Sequence, residues 1–246
     1  MNATRNAWVF AVVISYCLGP ALSVTVAQRY ESHARLLLGT ETNRTASLRI
    51  GDLDADGDLD VVVANGRHWP QQNYAFLNQG RARFNVMRPL GIDRSTTYAC
   101  ELADLDGDGD LDVVTGNDMA PCQIFLNDGK ASFRFHGTFG EISSVRSLTL
   151  TDIDQDGDPD ILITCRGRSN QICLNDGAAN FPETLTFGTQ TDSTIDVEVG
   201  DVDGDGDNDL VLANRDGQQS GWLLNDGRLN FCLLYTSPSP RDRIRS

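Results

Sequence analysis

Histidine is scarce in this sequence, and the residue patterns that mark many enzyme active sites are missing. Only three histidines occur, His33, His68 and His136, and more than 30 residues separate each from the next. That spacing matches neither a Ser-His-Asp triad nor a zinc site. No nucleophile elbow, phosphate-binding loop or dinucleotide-binding fingerprint is present either. The sequence therefore gives no reason to expect a catalytic centre of these kinds.

Basic residues are also in deficit, and the acidic excess is unevenly spread. The chain has 20 Lys and Arg against 35 Asp and Glu, for a formal charge of −15 at pH 7. Nucleic acids and anionic membranes repel such a chain, so neither is expected as a partner. Four nine-residue windows hold five Asp each, and carboxylates this crowded repel one another unless a cation neutralises them. Four Ca²⁺ ions would bring the formal charge from −15 to −7.

Long apolar runs are absent except near the N-terminus. Residues 7–18 are apolar, follow Arg5, and end at Gly19-Pro20. A membrane-spanning helix needs about 20 apolar residues, so this run is typical of a secretory signal peptide. We predict a signal peptide over residues 1–27, cleaved after Ser23 or Ala27, with an uncleaved anchor as the alternative. The protein is then expected to be secreted or held at the cell surface, with no membrane span after cleavage.

Four copies of one repeat make up the middle of the chain. Their Asp-rich loops read DLDADGDLD (52–60), DLDGDGDLD (104–112), DIDQDGDPD (152–160) and DVDGDGDND (201–209). A short apolar run follows each loop, and then a segment FLNQG, FLNDG, CLNDG or LLNDG. A phenylalanine comes six residues after the Asn of that segment, at Phe84, Phe133, Phe181 and Phe231. Matches at fixed offsets in four copies identify a structural repeat.

Each repeat predicts a small antiparallel sheet. Alternating apolar residues before the loop, such as Leu48 and Ile50, indicate a half-buried strand. The β-branched run after the loop indicates a strand buried on both faces. The Asn-x-Gly segment predicts a turn into a fourth strand that carries the phenylalanine. Four strands in a repeat of about 50 residues describe one blade of a β-propeller, so the predicted fold class is all-β.

The acidic residues of each loop occupy the positions that a calcium ligand set requires. Counted from the first Asp, side-chain oxygens fall at positions 1, 3, 5 and 9, glycine allows a bend at position 6, and position 7 offers its backbone carbonyl. With one or two waters, this gives the 6–8 oxygen ligands that Ca²⁺ takes. The candidate ligands are Asp52, Asp54, Asp56, Asp58 and Asp60; Asp104, Asp106, Asp108, Asp110 and Asp112; Asp152, Asp154, Asp156, Asp158 and Asp160; and Asp201, Asp203, Asp205, Asp207 and Asp209.

Other interpretations of the loops fit less well. An EF-hand needs Glu at position 12 and a helix after it, but position 12 is Val63, Thr115, Ile163 or Leu212. A calcium-binding β-helix needs a nine-residue period, which is absent. Mg²⁺ demands tighter octahedral geometry, and the loops lack the His or Cys that zinc and copper favour. Metal-free acidic turns would leave the recurrence at ligand positions unexplained. The predicted cofactor is Ca²⁺, at about four sites.

The DxDxDGxxD loops and the later F/L-L-N-D/Q-G segments resemble FG-GAP/VCBS-type repeats, as found in integrin α chains and in many secreted bacterial proteins. The resemblance covers residues 45–231 and implies a propeller, usually of seven blades, with calcium in a hairpin loop on one face. Seven blades need about 350 residues, so we predict an incomplete arc. A closed ring of four blades is the alternative. Pro159 and Asn208 depart from the family's usual small apolar residue at position 8, which makes the third and fourth loops less regular.

The C-terminal residues break the repeat pattern. Residues 232–242 read CLLYTSPSPRD and resemble the translation of a sequencing adapter. We therefore predict a non-native tail over residues 232–246, with a natural Ser/Pro-rich tail as the alternative, and assign residues 28–231 to the propeller repeats. On this prediction the natural protein continues beyond Phe231.

Four cysteines lie in the repeat region: Cys100, Cys122, Cys165 and Cys173. An even number in a secreted protein suggests disulfides, and Cys165–Cys173 is the favoured pair. Because Cys100 and Cys173 align with apolar positions of other repeats, buried free thiols are the alternative. Residues 43–45 also form an N-glycosylation sequon at Asn43, whose use depends on the host.

Three classes of function follow from these features. The predicted one is a non-enzymatic extracellular recognition or adhesion module that binds a protein or glycan, with calcium in a structural role. The others are the platform of a secreted carbohydrate-active enzyme, such as a polysaccharide lyase, and a purely structural surface protein. An enzyme would need clustered Lys, Arg, Tyr or His at the central pore, and no such cluster is evident. Trp69, beside His68 in a connecting loop, is predicted to pack against the fold.

Overall fold

A computed structural model describes residues 38–39 and 41–234 of the chain. The predicted signal peptide over residues 1–27 and most of the predicted tail lie outside these residues. Within the described ranges the chain forms sixteen strands and no helix. No helix in this part of the chain could therefore cross a bilayer. The strands are β1 Thr45–Gly51, β2 Asp60–Asn65, β3 Tyr74–Leu77, β4 Val86–Pro89, β5 Thr97–Ala103, β6 Asp112–Asn117, β7 Cys122–Leu126, β8 Arg134–Phe139, β9 Val145–Thr151, β10 Asp160–Cys165, β11 Asn170–Leu174, β12 Glu183–Phe187, β13 Thr194–Gly200, β14 Asp209–Asn214, β15 Gly221–Asn225 and β16 Phe231–Leu234.

The strands form four antiparallel sheets, each built from four strands that are consecutive in the sequence. We call them blades 1 to 4, formed by β1–β4, β5–β8, β9–β12 and β13–β16. The first strand of each blade contacts the first strand of the next, so β1, β5, β9 and β13 line the inside of an arc. This arrangement confirms the predicted four-stranded blade. The described residues after the Asp-rich loops form strands, which agrees with the rejection of an EF-hand.

Most of the hydrophobic core lies between neighbouring blades. The strands β2, β6 and β10 are buried along their whole length. For β6 and β10 the reason is a neighbouring sheet on both faces, whereas Val61 and Val63 of β2 pack with Phe76 of their own blade on the face away from blade 2. Leu53 and Val62 of blade 1, for example, pack with Val113 and Phe125 of blade 2. Equivalent clusters join blade 2 to blade 3 and blade 3 to blade 4. Since burying such a side chain stabilises a fold by about 1.5–3 kcal/mol, these seams hold the blades together.

Blade 4 has one face that no described residue covers. We call it the outer face of blade 4, formed by Val202, Val211 and Trp222. Val202 is 44% exposed and Trp222 is 43% exposed, whereas the residues that match Val202 in the first two loops, Leu53 and Leu105, are each 1% exposed. A closed ring of four blades would cover this face with blade 1. The four blades therefore form an incomplete β-propeller, as predicted.

The repeated phenylalanine does not lie on the fourth strand in the first three blades, so that prediction is wrong there. Phe84, Phe133 and Phe181 precede β4, β8 and β12 by one or two residues, and only Phe231 begins a strand. The turn is longer than its Asn-x-Gly segment because a further residue adopts positive φ. These residues are Ala82, Ala131, Ala179 and Leu229, with φ between 54° and 61°.

The Cys165–Cys173 disulfide that the sequence left open does not form; both residues are buried free cysteines, which is the alternative interpretation. They lie on adjacent strands, but Cys173 pairs with Ile161, four positions from Cys165 along β10. At about 3.4 Å per residue, that offset is roughly 14 Å, whereas the Cα atoms of a disulfide are rarely more than about 6.8 Å apart. Burial raises the pKa of the Cys173 thiol to about 11, which disfavours the reactive thiolate.

The last described strand crosses the boundary that the sequence suggested. Strand β16 begins at Phe231, and its next residues, Cys232–Leu234, pair with Leu224, Leu223 and Trp222 of β15. The non-native origin of residues 232–246 stays a prediction, since pairing in a sheet does not report on the source of a segment.

Candidate metal centres

Each Asp-rich loop joins the first and second strands of its blade. Because the four blades repeat one topology, the four loops lie at the same edge of the arc. The position-6 glycines Gly57, Gly109, Gly157 and Gly206 have φ between 88° and 104°. No atom lies within 4 Å of where a Cβ on any of them would be. This glycine is therefore required by the left-handed backbone of the loop and not by lack of space.

Carboxylate oxygens from three residues of each loop lie within 4.8 Å of one another. In blades 1, 3 and 4 the three come from positions 1, 3 and 9, and in blade 2 from positions 1, 3 and 5. The clusters are Asp52, Asp54 and Asp60; Asp104, Asp106 and Asp108; Asp152, Asp154 and Asp160; and Asp201, Asp203 and Asp209. The structure thus brings together predicted ligands from every loop. Asp56, Asp112, Asp156 and Asp205, the remaining predicted side-chain ligands, lie outside these triads.

Several buried carboxylate oxygens of these loops lack a hydrogen-bond partner. The Oδ1 atoms of Asp52, Asp54 and Asp106 are buried without a hydrogen-bond partner. Burial, followed by the charges of Asp60 and Asp56, raises the pKa of Asp54. A buried carboxylate oxygen without a partner is costly, and a hard cation that binds oxygen would satisfy it. The donor set therefore fits Ca²⁺.

The position-9 aspartate ties the loop to the rest of its blade. Asp60 is fully buried, and its Oδ2 accepts a hydrogen bond of 2.9 Å from the Leu53 N–H while its Oδ1 accepts one of 2.7 Å from the Asn78 N–H. The same two bonds recur at Asp112, Asp160 and Asp209. Burial raises the pKa of Asp112 and of Asp160 to about 6, although these N–H groups act in the opposite direction. Each oxygen keeps a second lone pair that a metal could use.

In blades 2 to 4 the position-7 aspartate leaves no room for a side chain at the glycine of the Asn-x-Gly turn. A Cβ on Gly129, Gly177 or Gly227 would lie 2.6 Å from a carboxylate oxygen of Asp110, Asp158 or Asp207. These glycines also have positive φ, at 69°, 77° and 73°. Here the glycine is needed both for its backbone conformation and for space. The predicted use of the position-7 backbone carbonyl as a ligand stays a prediction.

The backbone carbonyl at position 8 accepts a hydrogen bond from the turn asparagine. Because the side chain at this position takes no part in that bond, it can vary between loops. The Nδ2 of the turn asparagine donates to that carbonyl in every blade, over 3.1–3.2 Å. The pairs are Asn78 with Leu59, Asn127 with Leu111, Asn175 with Pro159 and Asn225 with Asn208. Because Pro159 takes part through its carbonyl, its side chain does not disturb the contact. The turn asparagine was missed as a site residue, although its recurrence in all four repeats was a usable signal.

Comparisons with known proteins agree with this architecture. Solved structures with a similar fold include the crystal structure of BBS1N in complex with ARL6DN soaked with lead, with a TM-score of 0.54 at 14% identity over 82% of this chain and 58% of that chain. The same complex soaked with mercury gives 0.53 at 12% identity over 82% and 60%. The V. cholerae biofilm matrix protein Bap1 gives 0.42 at 18% identity over 70% and 29%. The present chain thus spans less than two thirds of each of these chains. At 12–14% identity, the likeness to the two BBS1N structures shows the fold alone.

The family assignment comes from the repeats themselves. A search of curated proteins found no match. A scan against family models matched the FG-GAP-like repeat at residues 52–115, 104–163 and 152–212. These matches contain all four Asp-rich loops and more than half of the chain. The chain therefore belongs to the FG-GAP-like repeat family.

Proposed function

We propose that this chain is a calcium-binding β-propeller module in which calcium is structural. The observation that carries the proposal is the clustering of carboxylates in every loop together with the unpaired buried oxygens of Asp52, Asp54 and Asp106. In each loop the side chains at positions 1, 3, 5 and 9 and the carbonyl at position 7 would hold one Ca²⁺. Bound calcium would neutralise the crowded carboxylates and fix the hairpin between the first two strands.

Calcium binding is tested by calorimetric titration and by thermal unfolding of the chelator-treated protein. We expect about four sites per chain and an unfolding temperature that rises with added Ca²⁺. Extracellular modules commonly bind calcium with Kd of roughly 10⁻⁴–10⁻³ M, so millimolar concentrations should saturate the loops. Mg²⁺ serves as the control and should stabilise the protein less. An unfolding temperature that does not respond to millimolar Ca²⁺ would contradict the proposal.

We further propose that the module is secreted or exposed at the cell surface and binds an extracellular protein or glycan without catalysing a reaction. Its location is supported by the predicted signal peptide over residues 1–27. Its binding role is supported by aromatic and arginine side chains at the edge opposite the calcium loops. Trp69, which the sequence analysis expected to pack, is 63% exposed. Nearby, the Tyr98 hydroxyl lies 3.2 Å from His68 Nδ1, and the Arg146 guanidinium stacks 4.5 Å above the Tyr98 ring.

Trp, Tyr and Arg dominate the energetics of many protein interfaces, so this edge is the first place to test. Secretion is checked by expressing the full reading frame and sequencing the N-terminus of protein recovered from the medium, expected at Val24 or Gln28. Binding is checked by comparing the protein with a Trp69→Ala variant on panels of glycans and extracellular proteins. Retention inside the cell would contradict the proposed location. Equal binding by both proteins would exclude Trp69 from the contact.

A further inference from the structure

The turn asparagines of blades 2 and 3 reach across to the calcium loop of the preceding blade. Besides its bond within blade 2, Asn127 Nδ2 donates to the Leu53 carbonyl over 2.8 Å. Asn175 Nδ2 donates in the same way to the Leu105 carbonyl over 3.0 Å. Both asparagine side chains are buried, so water does not compete for these bonds. The same carbonyls also accept the backbone N–H of Ala131 and Ala179, each over 3.0 Å.

These bonds fix the backbone between the first two ligands of the preceding loop. Leu53 is position 2, between Asp52 and Asp54, and its N–H is already bound to Asp60 Oδ2. Its carbonyl is held by blade 2, and its side chain is 1% exposed in the seam between the blades. The backbone N–H, the backbone carbonyl and the side chain of Leu53 are thus all held in place. Asp52 and Asp54, which carry unpaired buried oxygens, extend from this fixed segment.

The third loop is held by a different residue of the next blade. Asn208, at position 8 of the fourth loop, donates to the Asp152 carbonyl over 3.0 Å. Gln155 of the third loop donates in return to the Gly206 carbonyl over 3.0 Å. Loops 3 and 4 therefore bond to each other directly, and the departure of Asn208 from the family pattern creates one of these bonds.

We propose that Asn127 and Asn175 are positioning residues for the calcium loop of the preceding blade, with Asn208 in the same role for the third loop. Each site is then completed by the blade that follows it, and calcium at one loop stabilises a seam between blades. This inference rests on the proposed calcium binding. Among the described residues no blade follows blade 4, and Val202 at position 2 of the fourth loop is the exposed counterpart of Leu53. The fourth site should consequently bind calcium most weakly in this chain.

The test follows calcium binding at each loop separately, by hydrogen–deuterium exchange of peptides that cover residues 52–60, 104–112, 152–160 and 201–209. Free Ca²⁺ is varied, and the midpoint at which exchange slows gives the apparent affinity of that loop. In Asn127→Leu the side chain keeps its approximate shape but loses its donor. We expect the midpoint to rise about 2- to 10-fold at 104–112, which loses its own-blade bond, and also at 52–60, which loses its cross-blade bond. Loops 152–160 and 201–209 should not change.

Asn78→Leu is the matched control, because Asn78 makes the own-blade bond but no cross-blade bond within the described residues. It should shift 52–60 alone. Asn175→Leu should shift 104–112 and 152–160, and Asn208→Leu should shift 152–160 while the position-8 carbonyl of the fourth loop is retained. Circular dichroism in calcium confirms that each variant is folded. Should Asn127→Leu fail that check, Asn175→Leu and Asn208→Leu make the same test at the next two loops.

The outcomes separate the two proposals. If no loop of the wild-type protein responds to calcium, the proposed function fails. If the wild-type loops respond but Asn127→Leu and Asn175→Leu each shift only the loop of their own blade, calcium binding stands and the cross-blade role of the asparagines is overturned.

Discussion

The second and fourth Asp-rich loops share the residues DxDGDGDxD but lie in different surroundings. At position 2 of the second loop, Leu105 is buried in the seam with blade 3, and its carbonyl receives bonds from Asn175 and Ala179. At the same position of the fourth loop, Val202 lies on the outer face of blade 4. Two loops of similar sequence are thus packed differently, because the contacts at position 2 come from the next blade as well as from the loop itself. The comparison predicts that equivalent substitutions have unequal effects in the two loops.

The largest difference between the second and fourth loops is expected when the position-2 side chain is truncated and the free energy of unfolding is measured. Leu105→Ala removes a buried side chain from a seam and should lower the free energy of unfolding by about 2–5 kcal/mol. Val202→Ala removes a half-exposed side chain and should change it by no more than about 0.5–1 kcal/mol. Urea unfolding of both variants in saturating calcium measures the difference. Equal losses would show that Val202 is covered in solution, for example by residues outside the described ranges.

A smaller difference between the two loops is expected in the calcium-dependent stabilisation that is lost when candidate ligand aspartates are replaced. At 10 mM Ca²⁺, a site with Kd of roughly 10⁻⁴–10⁻³ M stabilises the fold by about 1.4–2.7 kcal/mol. Asp104→Asn with Asp106→Asn should remove most of that calcium-dependent stabilisation for the second site. Asp201→Asn with Asp203→Asn should remove less, since the fourth loop has fewer contacts to hold its ligands. The measurement is the difference in unfolding free energy with calcium and with chelator for each double variant, and a larger loss for the fourth loop would reverse the ranking.

The smallest expected effect is a pH dependence of the metal-free protein. The pKa of Asp112 and of Asp160 is raised to about 6 in the folded chain, above the ordinary value of 3.8. The folded state therefore binds protons more readily than the unfolded state, so stability contributed by these groups increases as pH falls from 7 through about 6. Metal-free protein should resist urea better at pH 5 than at pH 7, and Asp112→Asn should reduce that difference. Asp226→Asn, at an exposed carboxyl whose pKa is lowered by its bonds to Asn230, is the control and should not reduce it.

The repeat pattern predicted much of the fold because its signals are local. Alternation before each loop, the apolar run after it and the Asn-x-Gly turn specify four strands, and the spacing of aspartates predicted which carboxylates cluster in each loop. What the sequence did not predict depends on contacts between distant residues. The double hydrogen bond at Asp60, the reach of Asn127 to Leu53 and the register that separates Cys165 from Cys173 are all set by how strands pair and blades stack. Trp69 was misjudged for the same reason, since its exposure depends on whether another segment covers it.

The placement of the hydrophobic core between blades has a consequence for how the arc comes apart. Among the described residues the four sheets share three seams, so blades 2 and 3 are each held on two sides, whereas blades 1 and 4 are each held on one. In such a stack, stability is close to a sum over neighbour contacts, and opening begins at an end. The outer face of blade 4 is exposed, whereas the far face of blade 1 carries the buried cluster of Val61, Val63 and Phe76, so blade 4 should fray first under heat, denaturant or pulling force. Unfolding would then be less cooperative and would proceed along the chain one blade at a time.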